Sequence, residues 1–435
     1  MIKKQKKILE TIRLEYRSKK KESSNSELFY EDVNLNDVAK KYNTPVYVYS
    51  KSKIIENCKD FIKAFKKKKI QNFQVCYAMK ACNNASILKI IKSCKCGIDA
   101  VSIEEIQKSI DVGFAPKDIV FSGVGKTRKE IEYAIKNKIG QINIESLEEL
   151  KELIEISNQL NIKANIGIRI NPDITADTNK KISTGSKTNK FGIDIIYIDK
   201  IFELIKNEKN IALLGLSIHI GSQITNLDNF EEAFSFMKKI YKFHPEFKTI
   251  DLGGGLGINY ECKKNFPTKQ DYVRLIAKYF SNFSGKIIIE IGRSIIGDAG
   301  IFLTKIVRMK HTKAKNFIIV DGGMNNLIRS AMYNAWHEPL LVNSAKKTGK
   351  IEKYDIVGPI CESSDVFNKN VCFNSNDLFE KNYIVFLFAG AYGRSMASNY
   401  NLHDIAGEVL IDGEKTKQIS KHINWKKIYE ISESV

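Results

Sequence analysis

The sequence has no long hydrophobic run. Within its 435 residues, no apolar stretch approaches the roughly 18 to 20 residues that a membrane-spanning helix requires. The first residues, MIKKQKKILETIRLEYRSKKKESS, also lack the apolar core of a secretory signal peptide. These absences predict a cytoplasmic, globular protein without a membrane partner. The basic segment 1–27 is expected to be a solvated, frayed extension, although Ile8, Leu9 and Ile12 would share one helical face that could lie on an acidic partner or an anionic surface.

Cysteine is too sparse to define the fold. Eight cysteines occur in the whole chain, without the regular spacing of a small disulfide scaffold. Cys94 and Cys96 form only a CxC pair, which is too little for a zinc site. The sequence therefore predicts reduced, packing cysteines and no bound metal.

The formal net charge of +19 does not by itself indicate a nucleic-acid partner. Lysines are spread over almost every predicted helix together with abundant isoleucine and asparagine, which is typical of a compositional bias. Aromatic residues do not alternate with a basic stripe, and no nucleic-acid-binding motif occurs. We expect no nucleic-acid partner.

Strands and helices alternate regularly in the first two thirds of the chain. A helical pattern at 51–67 precedes eight predicted strands, and helical patterns such as 146–158 and 228–242 separate them. This alternation is the α/β pattern of a (β/α)8 TIM-like barrel. The predicted strands are Phe73–Ala78, Gly97–Val101, Asp118–Phe121, Gly140–Ile144, Lys163–Asn171, Leu213–Ile220, Thr249–Leu252 and Lys286–Glu290.

A second, β-rich domain is predicted after the barrel. Runs of β-branched and aromatic residues, such as NFIIVDGGM and YIVFLFAGAYG, begin after position 295. The early strand Thr44–Ser50 follows a short helix with Asn36 as its expected N-cap, and this strand is predicted to join the C-terminal β-domain. The expected domains are 55–292 for the barrel, and 28–54 with 293–435 for the β-rich domain.

Polar motifs follow four of the predicted barrel strands. Active sites of such barrels lie at the carboxyl ends of the strands, and a phosphate site usually follows strands 7 and 8. Lys80 follows strand 1, His219 closes strand 6, GGGLG (Gly253–Gly257) follows strand 7, and EIGRS (Glu290–Ser294) closes strand 8. These motifs are predicted to converge at one end of the barrel.

Three of these residues suit a flat, electrophilic cofactor. Partial desolvation at a strand end favours the neutral amine, which makes Lys80 a candidate Schiff-base lysine and the predicted catalytic centre. The ring of His219 can stack on a flat cofactor. Glu290 ends the apolar strand KIIIE and is costly to bury unless a cation, such as a protonated pyridine nitrogen, meets it.

Other residues suit a phosphate group. The glycines Gly253, Gly254 and Gly255 let backbone N–H groups approach an anion closely, and no GKS or GKT follows them, so the loop is not a Walker A motif. Ser222 can reach the same phosphate, and Tyr392 is a candidate for a further contact near it.

A last group of polar residues suits an amino-acid substrate. Arg293 and Arg329, supported by Tyr333, are candidates for fork-like binding of a carboxylate. In GPICESSD, Cys361 is a candidate proton donor and Glu362 a candidate partner for an ammonium group.

Seven motifs in this order are familiar: YAMKA, STGSKTNKFGI, HIGSQ, DLGGGLGI, ExGRS, GPICESSD and GAYGxxMASNYN. Together they resemble the meso-diaminopimelate decarboxylases, a family of fold-type III pyridoxal-phosphate enzymes of lysine biosynthesis. The resemblance extends from about residue 30 to about residue 410. It implies pyridoxal 5'-phosphate as cofactor, a barrel with a β-domain, and an obligate homodimer whose active sites form between subunits.

For the cofactor, the resemblance implies a Schiff base on Lys80 and a stacking contact from His219. The segment Ile182–Ile193 resembles the family's mobile active-site loop. The other implied cofactor contacts are Gly253, Gly254, Gly255, Glu290, Gly292, Arg293 and Tyr392.

For the substrate, the resemblance implies that Arg293, Arg329 and Tyr333 bind the distal carboxylate. Glu362 matches the residue that receives the distal ammonium group and Cys361 matches the proton donor, both contributed by the partner subunit. The implied reaction releases CO2 from meso-2,6-diaminopimelate and yields L-lysine.

The chain departs from the family pattern at three places. Ile291 and Ser330 stand where proline is usual, and 103–105 replaces a glycine-containing segment. None of these departures removes a proposed catalytic group, so they bear on loop rigidity and rate rather than on the type of reaction.

Other proteins of the same fold remain as alternatives. Ornithine and arginine decarboxylases act on substrates without a distal carboxylate, which would leave Arg329 without a ligand, and they usually have aspartate at the position of Glu362. A carboxynorspermidine decarboxylase is a closer rival, because its substrate has a second carboxylate. An alanine racemase typically pairs the pyridine nitrogen with arginine instead of a carboxylate such as Glu290. A non-catalytic regulator is disfavoured because Lys80 and the Cys361 motif are both present.

Overall fold

A computed structural model of the protein describes residues 2–18, 25–176, 178–186, 189–261, 266–345 and 349–432. The chain divides into two compact units, which we call the barrel unit and the β-unit. The barrel unit consists of Ile55–Ile258 and Asn265–Ile295. The β-unit consists of Met1–Ile54, Asn259–Lys264 and Ile296–Val435.

The N-terminal part of the β-unit is a small sheet with two helices. Strand β1 (Leu14–Ser18) pairs antiparallel with β2 (Asn25–Tyr30), and β2 also pairs with the strand Asn343–Ala345 from the C-terminal part of this unit. These N-terminal elements are α1 (Ile2–Ile12), β1 (Leu14–Ser18), β2 (Asn25–Tyr30), β3 (Val33–Asn34), α2 (Leu35–Tyr42) and β4 (Val46–Ser50).

Two predictions for this region are wrong. The segment before residue 19 is not a frayed extension, because the apolar face of α1 buries Ile8 and Ile12 and β1 continues directly into the sheet. Residues 19–24 of the predicted extension lie outside the described residues. The N-cap of α2 is Asn34 instead of Asn36, since the Asn34 side chain accepts the N–H of Asn36 at 2.9 Å and the helix begins one residue earlier.

The barrel unit alternates strands and helices throughout. Short apolar strands are followed by helices with polar N-caps, for example Ser146, which accepts the N–H of Glu149 at 3.1 Å. The elements are α3 (Lys51–Lys67), β5 (Phe73–Ala78), α4 (Ala85–Ser93), β6 (Gly97–Ala100), α5 (Ile103–Val112), β7 (Ile119–Phe121), α6 (Arg128–Lys136), β8 (Gln141–Ile144), α7 (Leu147–Leu160), β9 (Ala164–Arg169), α8 (Ile198–Ile205), β10 (Ile211–Ser217), α9 (Asp228–Phe243), β11 (Thr249–Asp251), α10 (Lys269–Phe280), β12 (Lys286–Ile291) and α11 (Arg293–Ile296).

Strands β5 to β12 close into a parallel barrel, which confirms the predicted fold class. Neighbours in sequence are neighbours in the barrel, and β12 pairs with β5 to close it, with Ile288 opposite Gln74. The barrel interior is packed, with Cys76, Val120 and Ile288 in one buried cluster. Because all strands are parallel, their carboxyl ends meet at one end of the barrel.

The β-unit contains a larger sheet built from both ends of the chain. Strand β4 pairs antiparallel with β13 and parallel with β20, which confirms that the early strand joins the C-terminal β-domain. The remaining elements are β13 (Gly300–His311), β14 (Asn316–Val320), α12 (Arg329–Tyr333), β15 (Pro339–Leu341), β16 (Asn343–Ala345), β17 (Ile351–Val357), β18 (Val366–Asn374), β19 (Tyr383–Phe386), β20 (Gly407–Asp412), β21 (Lys415–Ser420) and α13 (Trp425–Ser432).

The main path of this sheet runs β18-β17-β14-β13-β4-β20-β21, and β19 pairs with both β13 and β15. Its centre is apolar, with the rings of Phe302, Phe367 and Phe386 in mutual contact and the ring of Tyr47 against Phe302. Of the helices that the structure describes in either unit, none combines the length and apolar character needed to cross a bilayer.

Candidate active site

Lys80 lies at the carboxyl end of β5. It occupies a single 3-10 turn, Met79–Ala81, and α4 begins only at Ala85 after its N-cap Asn84. The Lys80 Nζ atom lies 2.7 Å from Asp99 Oδ2. The Asp99 side chain is fully buried, whereas 39% of the Lys80 side chain is exposed. The amine is thus oriented by a buried carboxylate and stays accessible to a reactant.

Glu290 lies on β12 among other buried polar groups of the barrel. Ser122 Oγ lies 3.4 Å from Glu290 Oε1, and Asn143 Nδ2 donates to Ser122 Oγ at 3.0 Å and to Asp251 Oδ2 at 3.3 Å. Burial raises the pKa of Glu290 well above its usual range. The nearby carboxyls of Asp251 and Asp99 raise this pKa further, while the positive charges of Lys80 and Arg169 oppose the shift.

The pKa of Asp251 is raised as well. Burial is the main reason that the pKa of Asp251 is raised, and the negative charge of Asp99 contributes, while hydrogen bonds from Gly253 and Asn143 oppose the shift. A cation placed beside Glu290 would therefore remove much of the cost of ionising this buried carboxyl group.

His219 lies two residues beyond the end of β10 instead of closing that strand as predicted. Its Nδ1 atom accepts the N–H of Gly254 at 3.1 Å, so the ring carries no proton at this position. Burial, followed by the positive charges of Arg169 and Lys80, lowers the pKa of His219 well below its usual value. The residue thus presents a neutral, flat ring at the carboxyl end of the barrel.

The loop after β11 packs so closely that it requires glycine. Gly253 has φ +59°, and a Cβ atom there would lie 2.2 Å from the carbonyl oxygen of Ile218. A Cβ atom on Gly254 would lie 1.9 Å from the Glu290 carbonyl oxygen. The N–H groups of Gly253 and Gly254 donate to Asp251 Oδ1 and His219 Nδ1, so these two glycines fix neighbouring site residues.

Arg293 and Ser222 meet beside this loop. Arg293 Nη2 donates to Ser222 Oγ at 3.1 Å, and both residues belong to the barrel unit. Gly292 packs against the turn that carries Lys80, because a Cβ atom there would lie 3.0 Å from the Cβ atom of Ala81. Ile291, which replaces the usual proline, pairs with Tyr77 of β5. A cation, a hydroxyl group and a glycine-rich loop thus lie together, which is a suitable donor set for a phosphate.

Glu145 and Arg169 connect the barrel to the segment 182–193. Glu145 Oε1 accepts from Arg169 Nη1 at 2.6 Å, and Glu145 Oε2 accepts the N–H of Gly192 at 2.9 Å. The Arg169 guanidinium lies 5.0 Å from the ring centroid of Phe191. Lys187 and Thr188 of this segment lie outside the described residues. Its C-terminal end is therefore bound to Glu145, which follows β8, and contacts Arg169 of β9, while its mobility stays a prediction.

The other predicted site residues belong to the β-unit. Arg329 and Tyr333 are the first and last residues of α12. Cys361 and Glu362 are exposed in the connection between β17 and β18, where the Cys361 N–H donates to Asn401 Oδ1 at 2.8 Å and the Ser364 hydroxyl donates to Glu362. Tyr392 has φ +56°, a backbone conformation that bulky residues rarely adopt.

The structure thus brings one group of the predicted residues together within the barrel unit: Lys80, His219, Ser222, Gly253, Gly254, Gly255, Glu290, Gly292 and Arg293. Asp99, Glu145 and Arg169 were not predicted from the sequence as site residues. A signal was present for two of them, since Asp99 and Arg169 are charged residues near the carboxyl ends of strands that are otherwise uncharged. Within the part of the chain that the structure describes, no group of three or more His, Cys, Asp or Glu residues is arranged to bind a metal ion.

Known proteins share both the sequence and the fold. The family model for pyridoxal-dependent decarboxylases, pyridoxal binding domain, matches residues 51–297. The diaminopimelate decarboxylase of Aquifex aeolicus is 38% identical over 425 residues, which are 96% of this chain and 97% of that protein. The diaminopimelate decarboxylase of Zymomonas mobilis is 37% identical over 91% of this chain and 94% of its own length.

A solved structure of a diaminopimelate decarboxylase has the same fold as this chain. The diaminopimelate decarboxylase of Helicobacter pylori, crystallised with L-lysine, superimposes with a TM-score of 0.86 at 36% identity and covers 92% of this chain and 99% of that one. The barrel and these matches define a pyridoxal-phosphate-dependent decarboxylase. Within that class, the chain belongs to the diaminopimelate decarboxylase family.

The residues of the barrel unit fit the cofactor of this class. Pyridoxal phosphate carries an aldehyde, a pyridine nitrogen and a phosphate. The barrel unit presents an accessible amine at Lys80, a buried carboxyl group with a raised pKa at Glu290, and the donor pair of Arg293 and Ser222. Each chemical feature of the cofactor therefore has a counterpart among these side chains.

We predict that Glu145→Gln loosens the end of the segment 182–193. The amide weakens three charge-assisted hydrogen bonds, to Arg169, Gly192 and Gly123, each worth roughly 1.5–3 kcal/mol. Hydrogen exchange at Phe191–Ile193 should be faster and kcat/KM roughly tenfold lower. The matched control is the exposed Glu148→Gln. Equal exchange in the two variants would contradict the assignment of Glu145.

Proposed function

We propose that the protein decarboxylates meso-2,6-diaminopimelate and forms L-lysine and CO2, the last step of lysine biosynthesis. The observation that carries this proposal is the position of the Lys80 amine. It lies 2.7 Å from the buried Asp99 carboxylate, and its positive charge opposes the rise in the pKa of Glu290. The similarity to diaminopimelate decarboxylases over nearly the whole chain supports the choice of substrate. The L-lysine in the related crystal structure is the expected product.

When bound, pyridoxal phosphate accepts electron density from the substrate Cα and so makes the loss of CO2 possible. We assign the stabilising group to Glu290, whose buried carboxylate would meet the cationic ring nitrogen. His219 supplies a neutral flat surface for stacking, and its lack of charge avoids repulsion of that cation. Arg293, Ser222 and the amide of Gly255 are the proposed phosphate donors, while Gly253 and Gly254 fix Asp251 and His219 beside them.

Lys80 is the proposed site of covalent attachment for the cofactor. Asp99 orients the amine through a fully buried carboxylate, and the exposed fraction of the Lys80 side chain leaves a path for the incoming amino group of the substrate. Cys361 is the proposed donor of the proton that replaces CO2 at Cα. Its thiol is exposed in the single chain and is available for such a transfer.

The remaining residues are proposed to select the substrate. Arg329 is a buried guanidinium that keeps its positive charge and suits the distal carboxylate, together with Arg293 and Tyr333. Glu362 is proposed to bind the distal ammonium group. The unusual backbone conformation of Tyr392 supports a role in contact with cofactor and substrate.

We also propose that the protein is a cytoplasmic homodimer with shared active sites. Cys361 and Glu362 are exposed in the isolated chain, which agrees with a contribution of both residues to the site of a partner subunit. Ser364 and Asn401 hold these two residues through the hydrogen bonds described above. Their geometry is thus defined before any second subunit binds.

The substrate assignment is tested by CO2 release from meso-diaminopimelate, carboxynorspermidine, ornithine and arginine, with pyridoxal phosphate added. Only meso-diaminopimelate should react appreciably, because its distal centre carries both a carboxylate for Arg329 and an ammonium group for Glu362. Lys80→Ala should lose at least about a thousandfold in kcat, in line with the removal of a covalent catalyst. Preferred turnover of another substrate would overturn the assignment of Arg329 and Glu362.

The shared site is tested by mixing two inactive variants. Lys80→Ala and Glu362→Ala should each be inactive as homodimers. In each mixed dimer, one of the two sites contains both intact residues. A mixed dimer should therefore have at most about half of the activity of a wild-type dimer. Mass spectrometry confirms the mixed dimers. Confirmed mixed dimers without any activity would exclude a site shared in this way.

A further inference from the structure

The guanidinium of Arg329 contacts a buried histidine that the sequence analysis did not single out. Arg329 Nη1 lies 2.8 Å from His337 Nε2, and His337 Nδ1 lies 2.8 Å from the carbonyl oxygen of Leu387. His337 is fully buried and Arg329 nearly so. All three residues belong to the β-unit.

The two hydrogen bonds determine the protonation of His337. A carbonyl oxygen can only accept, so His337 Nδ1 carries the proton and donates to Leu387. A guanidinium can only donate, so His337 Nε2 must be unprotonated and accept from Arg329. The imidazole is therefore one defined neutral tautomer. It contacts Arg329 without neutralising the guanidinium. A carboxylate in this place would cancel that positive charge.

Further contacts fix both partners. The Arg329 guanidinium lies 5.0 Å from the ring centroid of Tyr260, and Tyr260 meets the His337 ring edge-on, with centroids 5.6 Å apart. Asn368 Nδ2 donates to the His337 carbonyl oxygen at 3.1 Å. An Arg side chain has many rotamers, and such contacts reduce the entropy that is lost when a ligand binds.

We propose that His337 is a positioning residue that orients Arg329 toward the distal carboxylate of the substrate and so determines selectivity for molecules that carry one. This inference rests on the proposed function, in which Arg329 binds that carboxylate. Decarboxylation removes the carboxylate at the reacting carbon, so the product L-lysine keeps the distal one. Cadaverine is the matching diamine without a carboxylate. The two compounds therefore report separately on carboxylate recognition.

The test compares His337→Phe, which keeps a flat ring but has no acceptor, with His337→Gln, which restores an acceptor oxygen near the position of Nε2. Inhibition constants for L-lysine and for cadaverine are measured on the cofactor-loaded enzyme, together with KM and kcat for meso-diaminopimelate. His422→Phe, a histidine of the same unit whose Nε2 contacts the Pro45 carbonyl, is the control.

For His337→Phe, we expect KM for meso-diaminopimelate and the inhibition constant of L-lysine to rise about 10- to 50-fold, the loss typical of one hydrogen bond to a charged group. The inhibition constant of cadaverine and kcat should change less than about threefold. His337→Gln should recover most of the L-lysine affinity. Equal losses for L-lysine and cadaverine, or no recovery in His337→Gln, would overturn the proposal.

A second variant covers the case in which His337→Phe does not fold. Tyr260→Leu removes the ring beside the guanidinium and should also weaken L-lysine binding more than cadaverine binding. The two proposals fail in different ways. If the wild-type enzyme does not use meso-diaminopimelate, the proposed function is wrong; if it does and neither variant discriminates L-lysine from cadaverine, only the role of His337 is wrong.

Discussion

The barrel unit depends on the burial of three carboxyl groups, Asp99, Asp251 and Glu290, near the carboxyl ends of its strands. Each buried carboxylate without a positive partner would cost several kcal/mol. The pKa values of Asp251 and Glu290 are raised for this reason, and the charges of Lys80 and Arg169 oppose the shift at Glu290. This electrostatic arrangement stabilises positive charge in the barrel, which a cofactor with a cationic ring nitrogen requires.

His219 is neutral for a different reason. Burial and the charges of Arg169 and Lys80 disfavour a third cation, and the Gly254 N–H occupies the remaining lone pair at Nδ1. In the β-unit, His337 is neutral because a carbonyl and a guanidinium contact its two nitrogens. In both cases a single defined tautomer follows from the backbone group that the ring contacts. Neither ring therefore adds a positive charge beside the cationic side chains near it.

Much of the fold could be predicted from local patterns. The apolar strand β5 (Phe73–Ala78) and helix α3 (Lys51–Lys67) have the predicted bounds, because burial and helical periodicity are visible over a few residues. The position of His219 was wrong because the apolar run Leu213–Ile220 continues beyond the last ladder pair of β10 at Ser217. The apolar face of Ile8, Leu9 and Ile12 was visible in the N-terminal extension, but no local pattern shows that Ile8 and Ile12 become buried in the folded chain.

The partners of the site residues could not be predicted in this way. The Lys80–Asp99 and Glu145–Gly192 contacts join residues on different strands and loops. A local sequence pattern does not predict which distant residues come into contact. Likewise, the glycine-rich loop was predicted to surround a phosphate, whereas two of its N–H groups donate to Asp251 and His219. These pairings depend on barrel closure and register, which are properties of the whole chain.

The central claim is that Lys80, among the many lysines of this chain, is the residue that binds the cofactor covalently. Borohydride reduction of the cofactor-loaded protein, followed by proteolysis and mass spectrometry of the peptides, tests it directly. The account predicts that the added cofactor mass lies on the peptide that contains Lys80 and is lost in Lys80→Ala. Stoichiometric labelling of a different lysine would contradict the account.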